Sequence, residues 1–439
     1  MSRSSVSKNI FSVALSNLAL PVAAFAAGPI LAHSLGVEGR GELTAAVAPL
    51  LLFTAIGTVG LPEAANFFVA RNPNLSRFIV RQTTWLLTIS GVLATALAFA
   101  ITPLLASGNP ALHQLMLVAV LATTPTLVIG AIRGAAQGQH LWGRVNAERY
   151  VTAATRLVAL LILWLSGSLT PFTGMLALII SPLLGGLAYT RLPSPRATDE
   201  PLPIKRLLGY GSRIWLGSLS GILLARIDQV LMTPLGGTYA LGLYAVAVNI
   251  AEVVLITNHA VRDVMFSADA ADSNDERVFL SSRLSMLTSA LIGLGICATM
   301  NLWVGIIFGH EFSGSVLPTC VLVAAYVLWV PGSIAGATLS SRGLPGKRSI
   351  GLFIATLANV VCLVILVPIW GALGAAYAML VGNIFASVYT LACVNRYFNM
   401  PILPFYAVRF SDFQMIIHKL RSVRRNNLRE VEVDDEYSS

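Results

Sequence analysis

Long apolar stretches, each about the thickness of a bilayer, recur along the whole sequence. A helix needs about 20 mainly apolar residues to cross the hydrocarbon core of a membrane. Only 11% of the 439 residues are charged, whereas soluble domains carry roughly 25% charged residues. So few charges could not cover the surface of a water-soluble protein of this size. The chain is therefore predicted to be a membrane protein that crosses the bilayer many times.

Twelve apolar stretches fall six on each side of a polar segment near residue 200. Continuous apolar runs of this length exclude a β-barrel, so the predicted fold is all-α with twelve transmembrane helices. The predicted spans cover residues 10–33, 44–70, 83–107, 111–132, 150–165 with some extension, 174–190, 214–235, 241–261, 284–308, 315–340, 350–369 and 374–394.

The placement of basic residues supports this count. With the N-terminus inside, the predicted cytoplasmic segments contain 26 of the 29 Lys and Arg residues, and the opposite loops contain only Arg40. Basic residues concentrate in cytoplasmic loops, so both termini are predicted to be cytoplasmic. The same rule explains the net charge of +9 without a nucleic-acid partner.

The first stretch has an alternative interpretation as a cleaved secretory signal. Arg3 and Lys8 precede the apolar run, and small residues at 24–27 resemble a cleavage site. We favour a retained helix, because the run continues to Ala32 and its removal would invert every later loop.

Two connecting segments indicate an internal repeat of about 200 residues. Leu35–Leu43 joins the first two spans and Leu235–Leu243 joins the seventh and eighth; both begin Leu-Gly and contain a second glycine before a small-residue helix. Six helices repeated in the same orientation predict two lobes related by a parallel pseudo-two-fold axis. The predicted parts are an N-terminal lobe (1–195), a linker (196–213), a C-terminal lobe (214–397) and a charged tail (398–439).

The sequence resembles the polysaccharide transporters of the multidrug/oligosaccharidyl-lipid/polysaccharide flippase superfamily. The resemblance covers residues 8–397 and rests on Gly57–Glu63 and on Arg226–Leu231 running into Gly242–Ala247. It implies a V-shaped bundle, like that of multidrug exporters, in the bacterial inner membrane. It also implies a flippase that moves an undecaprenyl-diphosphate-linked oligosaccharide by alternating access.

Charged side chains inside spans are costly and usually face a cavity or a partner. Five such residues are candidates for the site: Glu63, Arg156, Arg226, Asp228 and Glu252. Arg226 and Asp228 lie two positions apart on a helix and so cannot face the same point.

Arg226 has two open interpretations. Its planar guanidinium could bind a diphosphate with two parallel hydrogen bonds, or it could form an ion pair with Glu63 across the lobes. The two interpretations are compatible if the Arg226–Glu63 ion pair opens during transport. Substrate binding is assigned to Arg226, Asp228, Glu63 and Arg156.

The eighth span carries a polar stripe at helical spacing: Asn249, Glu252, Ile256, His259 and Asp263. A wet interior face is one interpretation, with Glu252 and His259 coupling transport to H⁺ or Na⁺. Solvation of the last two residues near the cytoplasmic surface is the other.

Two further site residues also have plain structural explanations. Arg156 could extend towards the inner membrane surface, beside Glu148, Thr152 and Thr155. The mid-span amide of Asn66, assigned here to substrate, could instead make a helix–helix hydrogen bond.

Several competing functions were weighed against a flippase. A cation-coupled multidrug exporter is disfavoured because the first span carries no carboxylate, and a lipid II flippase because fourteen helices are usual there. A membrane glycosyltransferase or polymerase is disfavoured by external loops of about ten residues or fewer. No cofactor, metal site or enzymatic activity is expected; the expected partners are the lipid-linked oligosaccharide, membrane lipids and polysaccharide-assembly proteins. Residues 403–421 predict an amphipathic helix on the membrane surface, serving as an anchor or a docking segment.

Overall fold

A computed structural model describes residues 3–190 and 203–407 of the chain. These residues form α-helices joined by short turns, and no β-strand occurs among them. The helices are α1 (Arg3–Gly57), α2 (Leu61–Arg71), α3 (Ser76–Leu105), α4 (Pro110–Val120), α5 (Thr123–Gly138), α6 (Trp142–Leu165), α7 (Pro171–Gly185), α8 (Ile204–Ala251), α9 (Leu255–Ala271), α10 (Asp275–Ile307), α11 (Val316–Ser341) and α12 (Pro345–Phe398).

Three of these helices are too long to be single membrane crossings. α1, α8 and α12 have 55, 48 and 54 residues, so each would measure roughly 70 to 80 Å if straight, against about 30 Å for the hydrocarbon core. Each is interrupted by a glycine with positive φ: Gly36 (65°), Gly237 (80°) and Gly371 (53°). Glycine tolerates this backbone conformation because it has no Cβ.

Contacts show that the chain reverses direction at two of these glycines. In α8 the hydroxyl of Tyr244 donates to the carboxylate of Asp228, sixteen residues earlier. In α12 a Cβ added to Gly382 would lie 3.1 Å from the carbonyl oxygen of Ala355. Residues so far apart in sequence could not meet along a straight helix, so each of these helices is a hairpin of two antiparallel halves.

The helices also break where the sequence predicted continuous spans. The predicted second span divides between α1 and α2, the fourth between α4 and α5, and the eighth between α8 and α9. Eight stretches of the described residues are long and apolar enough to cross a membrane when each hairpin is counted once. The all-α membrane fold is confirmed, and the count of twelve crossings stays a prediction.

Local sequence signals set the starts of several helices. Asn109 caps α4 by accepting from the backbone N–H groups of Ala111 and Leu112, and Thr170 forms a capping box with Thr173 at the start of α7. Proline follows the cap in both cases. Proline is favoured there because the first N–H groups of a helix have no partner within the helix.

The two halves of the chain meet through a reciprocal pair of glycine contacts. A Cβ added to Gly41 would lie 1.8 Å from the carbonyl oxygen of Thr238, and one added to Gly242 would lie 2.0 Å from that of Val37. Adding 201 to the N-terminal residue of each contact, Gly41 or Val37, gives the C-terminal residue of the other contact, Gly242 or Thr238. The repeat predicted from the sequence therefore relates the two halves by a pseudo-two-fold axis, as in a symmetric dimer interface.

The predicted linker and tail need correction. Residues 204–213 are not linker but the first turns of α8, which begins at Ile204. At the other end Phe405 lies in a 3₁₀ turn, fully buried against the ring of Phe279, so it does not belong to a membrane-surface helix. The rest of the predicted amphipathic segment, from residue 408 onwards, lies outside the described residues.

A buried polar network joins helices of the N-terminal half near their predicted cytoplasmic end. Glu148 of α6 is 3% exposed and accepts hydrogen bonds from Arg133 of α5 and, at 2.6 Å, from the hydroxyl of Tyr189. Buried charges are tolerated when they are paired and hydrogen-bonded. The network therefore ties α5 and α6 to the chain that follows α7.

Replacing Tyr189 with phenylalanine is expected to lower thermal stability. The substitution leaves one oxygen of a buried carboxylate with fewer partners, which costs about 1–3 kcal/mol. The measurement is the melting temperature of the detergent-solubilised protein. Tyr150→Phe is the matched control, because Tyr150 is on α6 but 41% exposed; equal melting temperatures for the two variants would contradict the role of the network.

Candidate functional site

An ion pair lies inside the C-terminal half, between the two arms of the α8 hairpin. Arg226 Nη2 is 3.2 Å from Glu252 Oε1, and the two side chains are 36% and 38% exposed. The reversal at Gly237 brings these residues together, although 26 positions separate them in the sequence. In this conformation Arg226 therefore pairs with Glu252 and not with Glu63, the partner in one of its two interpretations. Because both side chains remain partly accessible, the pair is open to exchange with another charged group.

Asp228 has a different environment from Arg226. It is 1% exposed, and its carboxylate accepts from the hydroxyl of Tyr244 and, at 2.7 Å, from the backbone N–H of Gln229. As predicted from their spacing, Arg226 and Asp228 point to different places. Burial argues against the predicted contact between Asp228 and a substrate in this conformation; Asp228 instead holds the two arms of the hairpin together.

Tyr326 of α11 completes the cluster. It is 6% exposed and belongs to the same buried cluster as Tyr244. The site thus combines one accessible cation, one accessible carboxylate and a buried carboxylate with two tyrosines. Such a group can bind an anion by exchange at Arg226. Within residues 3–190 and 203–407 no group of three or more His, Cys, Asp or Glu residues could hold a metal ion.

Two predicted site residues, Glu63 and Asn66, lie on α2 in the other half of the molecule. Glu63 is exposed and Asn66 is partly exposed. One turn of helix separates them, so they occupy the same face of α2. No ion pair joins Glu63 to the Arg226 cluster in the described part of the chain.

The two remaining predicted residues are not part of the cluster either. Arg156 is partly exposed, and its buried Nε atom makes no hydrogen bond; its neighbour Glu148 is already bound to Arg133. His259 is exposed on α9. A 3₁₀ turn at Glu252–Val254 interrupts the helix before His259, so the polar stripe predicted along one face is broken.

Sequence reasoning missed the two tyrosines and the network around Glu148. Tyr244 and Tyr326 stand among apolar residues and look like ordinary core aromatics. The one available signal was the proximity of Tyr244 to the repeated connecting segment. In the second half a comparable arginine network is formed by Arg342, whose guanidinium binds Asp269 and Asp275; these hydrogen bonds raise the pKa of Arg342 above its ordinary value.

Comparison with solved structures identifies the fold. A multidrug resistance transporter of the MATE family and MOP superfamily, in an inward-facing conformation, matches with a TM-score of 0.70 and 16% identity, covering 88% of this chain and 98% of its own. A lipid II flippase, MurJ, in an inward closed conformation matches with a TM-score of 0.74 and 11% identity, covering 90% and 88%. A superfamily transporter from Pyrococcus furiosus matches with a TM-score of 0.55 and 14% identity, covering 89% and 96%.

Sequence comparison identifies the family. No curated protein matches the chain. The family model described as polysaccharide biosynthesis protein matches residues 6–262, more than half of the chain. That region holds the helices α1 to α7 of the first half, the α8 hairpin and the cluster of Arg226, Asp228 and Glu252. The chain belongs to the polysaccharide biosynthesis protein family.

Proposed function

We propose that the protein flips an undecaprenyl-diphosphate-linked oligosaccharide across the bacterial inner membrane, for use in surface polysaccharide. The single observation that carries this proposal is Arg226, a partly exposed guanidinium within the membrane region, in a chain of the polysaccharide biosynthesis protein family. A planar guanidinium can bind a phosphate group of a diphosphate through two parallel hydrogen bonds.

In this proposal the diphosphate headgroup replaces Glu252 as the binding partner of the Arg226 guanidinium. Glu252 then has no cation beside it and can bind H⁺ or Na⁺. The sugars lie between the two halves, near Glu63, Asn66 and Arg156, while the lipid tail stays in the bilayer. The two halves then rock about their shared interface and expose the headgroup to the other side, with both termini remaining cytoplasmic.

The test is a transport assay with the purified protein in liposomes. A short-chain polyprenyl diphosphate bearing a fluorescent oligosaccharide is placed in both leaflets, and membrane-impermeant periodate reports how much lies outside. We expect the protein to make the inner pool accessible within minutes. Ethidium efflux under an imposed H⁺ or Na⁺ gradient is measured in parallel. Efflux of ethidium without movement of the glycolipid would replace this proposal with drug export.

A further inference from the structure

The predicted second span, residues 44–70, is broken near its middle by a strained turn. α1 ends at Gly57 and α2 begins at Leu61. Between them Val59 and Gly60 both have positive φ, 45° and 67°. A β-branched residue such as valine rarely adopts this conformation, which costs free energy and persists only when its surroundings enforce it. The surrounding structure therefore enforces the break in this span.

The break exposes backbone carbonyls that other helices then bind. The carbonyl of Ala55 would normally accept from the N–H four residues later. Here it accepts instead from Trp215 Nε1 of α8 at 3.2 Å and from the hydroxyl of Thr58 at 2.9 Å. The hydroxyl of Ser90 on α3 donates to the carbonyl of Gly57 at 2.7 Å. One of these hydrogen bonds, from Trp215, crosses between the two halves of the molecule.

Backbone contact and aromatic stacking reinforce that crossing. A Cβ added to Gly60 would lie 2.1 Å from the carbonyl oxygen of Gly211 on α8, so the two backbones touch. About two turns further along the chain, the ring of Phe67 on α2 stacks on Tyr210 with a centroid distance of 4.2 Å. These contacts lie at the end of the molecule that the charge distribution predicts to face the cytoplasm.

α2 is also fastened within its own half. Cβ atoms added to Gly134 and Gly138 of α5 would lie 2.1 Å and 2.6 Å from the carbonyl oxygens of Pro62 and Asn66. Contacts within a half persist when the halves rock, whereas contacts between halves must break. α2 and α5 therefore move as one unit. The contacts that open are those of Gly211 and Tyr210 with Gly60 and α2, and the hydrogen bond from Trp215 to the end of α1 just before the break.

We propose that α2 is a latch that closes the predicted cytoplasmic entrance to the site, and that Trp215 is the residue that positions it. The latch carries Glu63 and Asn66, so its opening would both admit the headgroup and move two of the proposed substrate contacts. This inference rests on the proposed function only for the identity of the headgroup that enters. The closure itself rests on the contacts between the two halves.

The first test replaces Trp215 with phenylalanine, which keeps a large ring but removes the N–H donor. The reporter is a cysteine at position 66, in a protein whose four native cysteines are replaced, labelled by an impermeant thiol reagent in inside-out vesicles. Loss of the hydrogen bond is expected to raise the labelling rate about fivefold. Ser90→Ala is the matched control, because it removes a carbonyl partner at the same break within one half; its labelling rate should stay unchanged.

A second variant, Gly211→Ala, tests the latch independently in case Trp215→Phe does not fold. Gly211→Ala places a Cβ 2.8 Å from the carbonyl oxygen of Val59 and should wedge the latch open, whereas Gly209→Ala on the same helix meets nothing within 4 Å. Labelling that rises with Gly211→Ala but not with Gly209→Ala supports the latch. Unchanged labelling in both Trp215→Phe and Gly211→Ala, or an equal rise with Ser90→Ala, would overturn it. No substrate is present, so failure here is separate from failure of glycolipid transport.

Discussion

Alanine in place of Arg226 is expected to abolish glycolipid transport while the protein still inserts and folds. Arg226 provides the accessible cation of the cluster, and hydrogen bonds to charged groups contribute about 1.5–3 kcal/mol. Their loss should weaken binding of the diphosphate roughly 10- to 150-fold. Transport in liposomes measures the effect, and size-exclusion chromatography in detergent confirms folding. Arg226→Lys should be intermediate, because it keeps the charge but loses the two-pronged geometry.

The ion pair with Glu252 offers an alternative explanation for such a loss, and a double variant separates the two. If Arg226 only neutralises Glu252, removing both charges in Arg226→Ala/Glu252→Ala should restore transport, because no unpaired carboxylate remains. If Arg226 binds the diphosphate, the double variant should stay inactive. Glu252→Gln alone frees the guanidinium and should retain glycolipid binding. Restored transport in the double variant would remove Arg226 from the substrate site.

The distribution of charge in the sequence was sufficient to predict the class of fold. Few charges occur in the chain, and its Lys and Arg residues concentrate between the apolar stretches, as they do in the loops of membrane proteins. The repeat of Leu35–Leu43 at Leu235–Leu243 likewise predicted a relation between halves that the contacts of Gly41 and Gly242 now confirm. Both signals are local in sequence, which is why they could be recognised there.

The arrangement of the site depends on contacts that no local pattern encodes. One of the two interpretations of Arg226 paired it with Glu63, yet the turn at Gly237 brings Glu252 next to it. Asp228 was treated as accessible because charges in spans usually face cavities, but the hydroxyl of Tyr244 allows it to be buried. The break before α2 was also not predicted, because Thr58–Gly60 reads as a small-residue stretch of continuous helix.

The two halves touch at both ends of their interface in this conformation. At the predicted outer end the contacts are those of Gly41 and Gly242, and at the inner end those of Gly60 and Gly211. A transporter that alternates between sides must be able to open either end separately. The lack of side chains at all four positions lets the backbones close tightly, so each glycine pair can act as the seal of one gate.

Valine in place of Gly242 is accordingly expected to prevent closure of the outer end and to abolish transport. A Cβ at this position would lie 2.0 Å from the carbonyl oxygen of Val37, a rigid backbone atom. Overpacking of this kind costs roughly 1–3 kcal/mol, which shifts the balance between closed and open outer ends about 5- to 150-fold. A cysteine at Asn249, which contacts Ala24 across the interface, should become labelled from outside.

The pseudo-two-fold relation between the halves predicts the effect of the equivalent substitution in the N-terminal half. Gly41→Val should produce the same defect, because its Cβ would meet the carbonyl oxygen of Thr238. The double variant should be little worse than either single one, since the outer ends are already apart and energies of coupled sites do not add. Gly295→Val is the control, because a Cβ there meets nothing within 4 Å. Normal transport by both single variants would mean that closure of this glycine contact is not required in the transport cycle.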